Sequence, residues 1–204
     1  MGALLPPPRD RFAARVRSID PPTAARMHGR SWRDHPRCPP HAALALVEAS
    51  HLTMEGGSAT GELVVAQAIA GRVVTLLARL HAIGFPIASM RLVDDHHADD
   101  DRSMAAGNSS AFNFRTIAGT DLLSQHAFGL AIDLNPMQNP MIWPGGGRYV
   151  PAAAAPYVDR RTLRPGMIVR PGPVTAILDE QGWEWGGDWR HVADLHHLVW
   201  SRPI

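Results

Sequence analysis

Two short segments constrain this chain more than any other feature, because they must be brought together by whatever fold it adopts. Ser124-Gln-His126-Ala-Phe-Gly129-Leu-Ala-Ile-Asp133 and the later pair Trp185-Gly-Gly-Asp-Trp189 and Asp194-Leu-His-His197 place imidazoles and carboxylates in apolar or glycine-rich surroundings. His126 and Asp133 are too far apart to share one strand face in register, and Gly129 between them supplies a turn or a close backbone approach. Asp194 and His197 stand three positions apart, a step that sets a carboxylate base beside an ion held by the neighbouring imidazole. The residues are therefore read as His126, Asp133 and His197 for metal ligands, with Asp194 as general base. Two imidazoles and one carboxylate form a three-ligand set for Zn²⁺ that leaves one tetrahedral position open, the pattern of catalytic rather than structural sites. Such an ion lowers the pKa of a bound water toward ~7 and polarises a carbonyl, while the carboxylate takes the proton and delivers it to a leaving amine. The chemistry is metal-assisted amide hydrolysis.

Composition narrows the partners. Twenty Lys and Arg stand against 19 Asp and Glu, a net charge of +1, which gives no electrostatic reason to expect nucleic acid or an anionic membrane surface. With 204 residues and ordinary hydrophobic content, one domain is expected, and a monomer. The single cysteine, Cys38, excludes an intrachain disulfide and a cysteine-based structural zinc site. No stretch approaches the ~18 apolar residues of a membrane span, and the first residues lack a signal-type apolar run.

Along the chain, residues 1–40 hold many of the prolines with scattered arginines and no sustained periodicity, and are expected to form an N-terminal arm or leader, with the catalytic domain over 41–204. A short helix is predicted at Pro40 to Ser50, and Glu62-Leu-Val-Val65 fits a strand or a helix entry. From Ala66 to Ile83, Ile69, Val73, Leu76, Leu77, Leu80 and Ile83 recur at three- and four-residue steps before Gly84, which predicts an amphipathic core helix. Phe85–Val93 and Gly129–Leu134 read as strands, 94–123 as a long functional connection, Pro173 to Gly182 as a short helix, and His196–Trp200 as a closing strand. Helices beside short strands predict an α+β fold.

The segment His126-Ala-Phe-Gly-Leu-Ala-Ile-Asp133, followed by Asn135-Pro136 and completed by Trp-Gly-Gly-Asp-Trp and Asp-x-x-His, resembles the zinc peptidases that act on peptidoglycan as D-alanyl-D-alanine carboxypeptidases or L-alanyl-D-glutamate endopeptidases. Gly61-Glu-Leu-Val-Val65, Phe85-Pro-Ile87, Ser103-Met104 and Ser110-Ala-Phe-Asn113 extend the likeness over roughly residues 60 to 200. The resemblance implies one α+β domain whose small antiparallel sheet carries the zinc site, with His126, Asp133 and His197 as ligands, Asp194 as base, and peptidoglycan stem peptides as substrate. It also implies an arginine upstream of the first histidine that holds a substrate carbonyl or carboxylate. Arg115 is the first choice and Arg102 the second. Ser124 and Trp185 are further candidates for contact with substrate, Ser124 equally for a turn and Trp183, Trp185 and Trp189 as a wall of indoles of which at least two are expected in the core.

The chain departs from its relatives at Leu198 and Val199, where Phe and an acidic or amide residue are usual, and at Gly107, where many carry asparagine; second-shell packing and substrate preference are the properties these changes touch. His196 competes with His197 as ligand. The step from Asp194 and the resemblance favour His197, and in a strand the two imidazoles face opposite sides. Glu184 competes with Asp194 as base, and His191 is a weaker ligand candidate. The acidic run Asp94–Asp101 lacks the spacing and glycine of a calcium loop and is read as a solvated loop. A wall-binding domain of the same fold without turnover, or a hydrolase of another amide, are the competing functions. A cell-wall substrate requires the cell envelope or release as a phage-type lysin.

Overall fold

Two long extended runs organise the N-terminal half. The computed structural model describes residues 11–203. In it β1 (Ala14–Ser18) leads through α1 (Pro21–Met27) to β2 (Leu44–Leu52) and β3 (Ser58–Ala66), and the strands form an antiparallel sheet in the order β1-β2-β3. The nine residues of β2 are almost all buried because both faces are covered. Ala45, Val47 and Ala49 face the main core, while Leu44 and Leu46 face a second cluster with Met27, Leu92 and Phe112. A strand buried on both sides loses the polar alternation that marks it in a sequence. This is why Pro40–Ser50, predicted as a helix, is instead a single 3₁₀ turn at His41–Ala43 followed by β2.

The expected N-terminal arm also differs. Residues 1–10 lie outside the described residues, but 11–40 are built into the body: Ala14 to Ser18 pair with Ala49 to Ala45, and Arg17 forks onto Glu48 and reaches Asp20 at 2.8 Å. The short Arg-Val-Arg alternation of this largely exposed edge strand was too brief to register as a period.

The amphipathic stripe does form a helix, α2 (Ala70–Ala82), entered through a 3₁₀ turn at Gln67–Ile69 and ended at Gly84 with φ 77°. Val73, Leu76, Leu77 and Leu80 are buried beneath it, each worth about 1.5–3 kcal/mol relative to exposure. Of the strand predicted over Phe85–Val93, only β4 (Ser89–Met90) forms, because Val93 already opens a 3₁₀ turn. The 94–123 connection contains α3 (Asp100–Ala105) and β5 (Asn108–Ser109), which pairs in parallel with β4.

Strands are short in the remainder: β6 (Ala131–Asp133), β7 (Met141–Ile142), β8 (Tyr149–Val150), then α4 (Pro173–Gln181), β9 (Glu184–Trp185), β10 (Ala193–Asp194) and β11 (His197–Val199). They make two further antiparallel sheets, in the orders β6-β11-β9 and β10-β7-β8. The α+β class, with small antiparallel sheets and flanking helices in one domain, is as expected. Among the described residues no helix is long and apolar enough to cross a membrane.

Candidate metal centre

Register in the β6-β11 pair delivers the first two candidate ligands to one place. His197 lies directly opposite Asp133, so their side chains leave the sheet on the same face. His126 arrives from a 3₁₀ turn, Gln125–Phe128, whose N-cap Ser124 accepts a bond from the His126 N–H at 3.3 Å. Gly129 ends that turn at φ 68°, and a Cβ there would lie 2.5 Å from the Ala66 nitrogen, so the turn is seated against the end of β3 as only glycine allows.

Three donor atoms meet as a result. His126 Nε2 is 3.2 Å from Asp133 Oδ1 and 3.2 Å from His197 Nδ1, and His197 Nδ1 is 3.1 Å from Asp133 Oδ1. Tetrahedral bonds of about 2.0–2.1 Å to such donors set neighbouring ligand atoms about 3.3 Å apart, so the triangle already has the size that zinc requires. His126 Nδ1 donates to the Ala111 carbonyl at 2.6 Å, which leaves the Nε2 lone pair for a metal. All three side chains are buried, and among the described residues this is the group of His, Cys, Asp and Glu able to hold an ion.

Electrostatics agree with that use. Burial pushes the Asp133 carboxyl up, but the imidazoles of His126 and His196 and the bonds from His126 and His197 more than offset it, and the group is held well below the usual carboxylate range. His126 moves the other way: burial lowers its pKa, and Asp133 outweighs burial to raise it. A carboxylate kept ionised in a dry site beside two imidazoles is a cation-binding arrangement.

Asp194 enters beside this set from β10, with Met141 of β7 opposite it. Gly186 of the Trp-Gly-Gly-Asp-Trp segment packs against both Asp194 and His197, where a Cβ would come within 2.6 Å of the Asp194 carbonyl oxygen and 3.2 Å of His197 Cβ. His196 does not face away from the centre as strand alternation predicts, because β11 starts only at His197. Its Nε2 lies 3.0 Å from Asp194 Oδ1 and 3.9 Å from Asp133 Oδ1. Burial lowers the His196 pKa, and Asp194, Asp133 and the Asn139 carbonyl raise it overall.

The arginines separate. Arg115 has its Nε against Asp100 Oδ2 and donates from Nη1 to the Thr116 carbonyl at 3.3 Å; its charge acts on His126, and Asp100 is itself tied to Asn113 at 2.8 Å. Arg102 is two-thirds exposed on α3 and paired with Asp99, and no contact brings it to the three donors. Trp185 is buried and donates from its indole to the Leu195 carbonyl at 2.8 Å, and Trp183 is buried as well. The tryptophan that faces the centre is Trp189, 41% exposed, with its ring 5.2 Å from His197. It lines a shallow cleft of about 480 Å³ with Asp188, Arg190, His191 and Val192. Glu184 is exposed and bonded to Ser201.

The acidic run is structural. Asp94 accepts from the Ser31 N–H and hydroxyl, Asp95 pairs with Arg26 and Arg91, and Asp99 caps α3. Sequence reasoning assigned no role to Asn139, and none to Asn135 beyond its place in the Asn135-Pro136 motif; both brace the loop after β6. Asn135 sits at φ 52° and bonds to Ala88, Pro86 and Gly166, and the local sequence signal shared by both asparagines is a place before a proline.

Fold and site together define an α+β domain with three buried donors, His126, Asp133 and His197, close enough to hold a metal ion, and a neighbouring carboxylate. Residues 118–200 match a family model described as D-alanyl-D-alanine carboxypeptidase, which bears out the resemblance drawn from the motifs and supports a metal-dependent peptidase. The matched segment contains His126, Asp133, Asp194 and His197. Neither the curated proteins nor the solved structures contain a match.

Proposed function

We propose that this protein is a zinc peptidase that hydrolyses peptide bonds in peptidoglycan stem peptides, as a D-alanyl-D-alanine carboxypeptidase or an L-alanyl-D-glutamate endopeptidase. The observation that carries the reading is the triangle of His126 Nε2, Asp133 Oδ1 and His197 Nδ1, with edges of 3.1–3.2 Å, beside a second buried carboxylate. Held by those three atoms, zinc would supply Lewis acidity toward water and the scissile carbonyl.

The chain's own residues supply the rest. Asp194 removes a proton from the attacking water and returns it to the departing amine, a role worth about 100- to 10,000-fold. Arg115, fixed through its Nε by Asp100, offers the remaining guanidinium donors to a substrate carbonyl or carboxylate. Ser124 acts by capping the turn that carries His126. Trp189 presents an apolar wall next to His197 for the peptide. Arg102 and Trp185 receive no substrate role in this reading. The site of action is the cell wall, reached in the envelope or by a lysin on lysis.

Mass spectrometry of peptidoglycan and of a synthetic stem pentapeptide, incubated with zinc-loaded protein with and without a chelator, tests the proposal. Chelator-sensitive loss of the terminal D-alanine identifies the carboxypeptidase, and a cut between L-alanine and D-glutamate the endopeptidase. Intact substrates with fully loaded protein would remove the peptidase reading in favour of a wall-binding domain or another amide.

A further inference from the structure

The backbone ladder that carries His126 continues past the candidate metal centre. The Asn113 N–H donates to the His126 carbonyl at 3.1 Å, the Ser124 N–H to the Arg115 carbonyl at 3.1 Å and the Ile117 N–H to the Leu122 carbonyl at 2.8 Å, with Thr116 bridged to Leu123 between them. These pairs keep one antiparallel register, so residues 113–126 form a two-stranded arm rooted at a candidate ligand. Its tip is fixed as well. Gly119 turns at φ 78°, Thr120 donates from its N–H and from its hydroxyl to the Ile117 carbonyl at 3.0 Å, and the same hydroxyl accepts from the Leu122 N–H at 3.2 Å.

Side chains on such a ribbon alternate between its faces. Asn113, Arg115 and Ile117 therefore share one face with Ser124 and Leu122 of the returning strand. Asp100 bears out the first two, since it meets both Asn113 Nδ2, at 2.8 Å, and Arg115 Nε. Exposure rises outward along this face: Asn113 and Ser124 are buried, Arg115 is half-buried, and Ile117 and Leu122, directly opposite each other, are 47% and 67% exposed. The other face is anchored to the body by Phe114, which packs against the second core with its ring 5.3 Å from His35. The arm thus holds out a pair of aliphatic side chains that the fold leaves uncovered, on the face that carries Arg115.

Strand geometry sets what that pair can reach. A strand advances about 3.4 Å per residue, so Ile117 and Leu122 stand about 7 Å beyond Arg115 and Ser124, a distance that an extended peptide covers in two residues. We propose that Ile117 and Leu122 form an apolar subsite for the stem peptide, taking aliphatic side chains about two residues beyond the group held by Arg115. The proposal rests on the peptidase reading above, and the occupant follows from the continuity of this face with the candidate site. It makes the enzyme discriminate by peptide length, because a pentapeptide reaches the pair and a blocked dipeptide holding only the scissile bond does not. The subsite adds binding and no chemistry, so its signature lies in KM.

The test compares the zinc-loaded unmodified protein with the double variants Ile117→Ser/Leu122→Ser and Ile117→Val/Leu122→Met on a stem pentapeptide and on a blocked dipeptide with the same scissile bond. The serine variant is expected to raise the pentapeptide KM about tenfold at a kcat within about twofold, and so to lower the pentapeptide-to-dipeptide ratio of kcat/KM about tenfold. Valine with methionine restores most of that ratio, since both keep apolar area. An unchanged ratio, an equal loss on both peptides, a loss carried by kcat alone, or an apolar variant no better than serine would each overturn the proposal. Methyl NMR reads the contact without turnover: in zinc-loaded Asp194→Asn protein, the Ile117 and Leu122 methyl resonances move when pentapeptide is added and stay in place with the dipeptide. Methyls unmoved by pentapeptide reject the subsite. Should the unmodified zinc protein leave both peptides intact, the peptidase reading falls, and the methyl spectrum alone then decides whether the arm binds the peptide.

Discussion

The β1-β2-β3 sheet with α2 and the region from β5 to β11 are held together by different means. The first has two nine-residue strands, β2 and β3, and a helix whose buried face is aliphatic, and apolar area does most of the stabilising. The second has strands of two or three residues, too short to fix their own positions, and side-chain amides take over that task. Asn108 ties β5 to Ser89 and Arg91, Asn135 reaches Ala88, Pro86 and Gly166, and Asn139 joins Leu134, Gly166 and Ile168. Directional bonds fix atoms to within tenths of an ångström, which ligand geometry requires, whereas apolar contact tolerates rearrangement. The family match falls on the second region, from 118 to 200, and leaves the first outside it.

The division predicts that function and stability separate by region. The largest effect expected is on turnover: Asp194→Ala should retain bound zinc and unfold near the unmodified midpoint while kcat drops by at least about 100-fold. Parallel metal analysis, calorimetry and kinetics check this, and retained turnover would take the base role from Asp194. In the other region, Leu76→Ala should cost about 2–5 kcal/mol in denaturant unfolding and leave turnover per folded molecule unchanged. A kcat loss in the folded fraction would mean that the sheet and helix govern the site directly.

Gly129→Ala probes the seam between the regions. The Gly129 carbonyl accepts from Ala66 at 2.9 Å, and the new Cβ would meet that same backbone nitrogen at a φ suited to glycine, so a loss of at least about 2 kcal/mol together with weaker metal binding is expected. A loss of stability with metal affinity intact would show that the His126 turn is positioned without β3. The smallest effect lies at the edge of the first region. Asp20 caps α1, and bonds from Thr23 and Arg17 lower its pKa to about 2. Its folded pKa lies below the unfolded value, so its contribution is present above about pH 4 and fades as pH falls toward 2. The Tm difference between unmodified protein and Asp20→Ala should shrink over that window; a constant difference would assign the cap's effect to packing.

Legibility in the sequence followed the range of the interactions. α2 and α4 were readable because stripe, Pro173 and the glycine stops are local signals. β2 was misread as a helix because two separate cores cover its faces, and no local pattern records a second core. His126, Asp133, Asp194 and His197 were picked out by residue type, spacing and resemblance, since a metal centre needs few kinds of donor. Their neighbours were harder: Trp189 rather than Trp185 borders the centre, and His196 turns toward Asp194, because β11 begins one residue later than the alternation assumed.

The sequence by itself determined the chemical inventory of this protein, its two longest helices, α2 and α4, and the α+β class, because these depend on residue type and on periods a few residues long. Only the tertiary structure decided that three donor atoms stand 3.1–3.2 Å apart, that Asp100 holds Arg115, and that His196, tied at Nδ1 to the Asn139 carbonyl, stands beside Asp194. Strand register and hydrogen bonds between distant segments set most of those distances; even the pairs close in sequence, His126 with Asp133 and Asp194 with His196, meet only because the turn and the strands around them are placed by the rest of the fold.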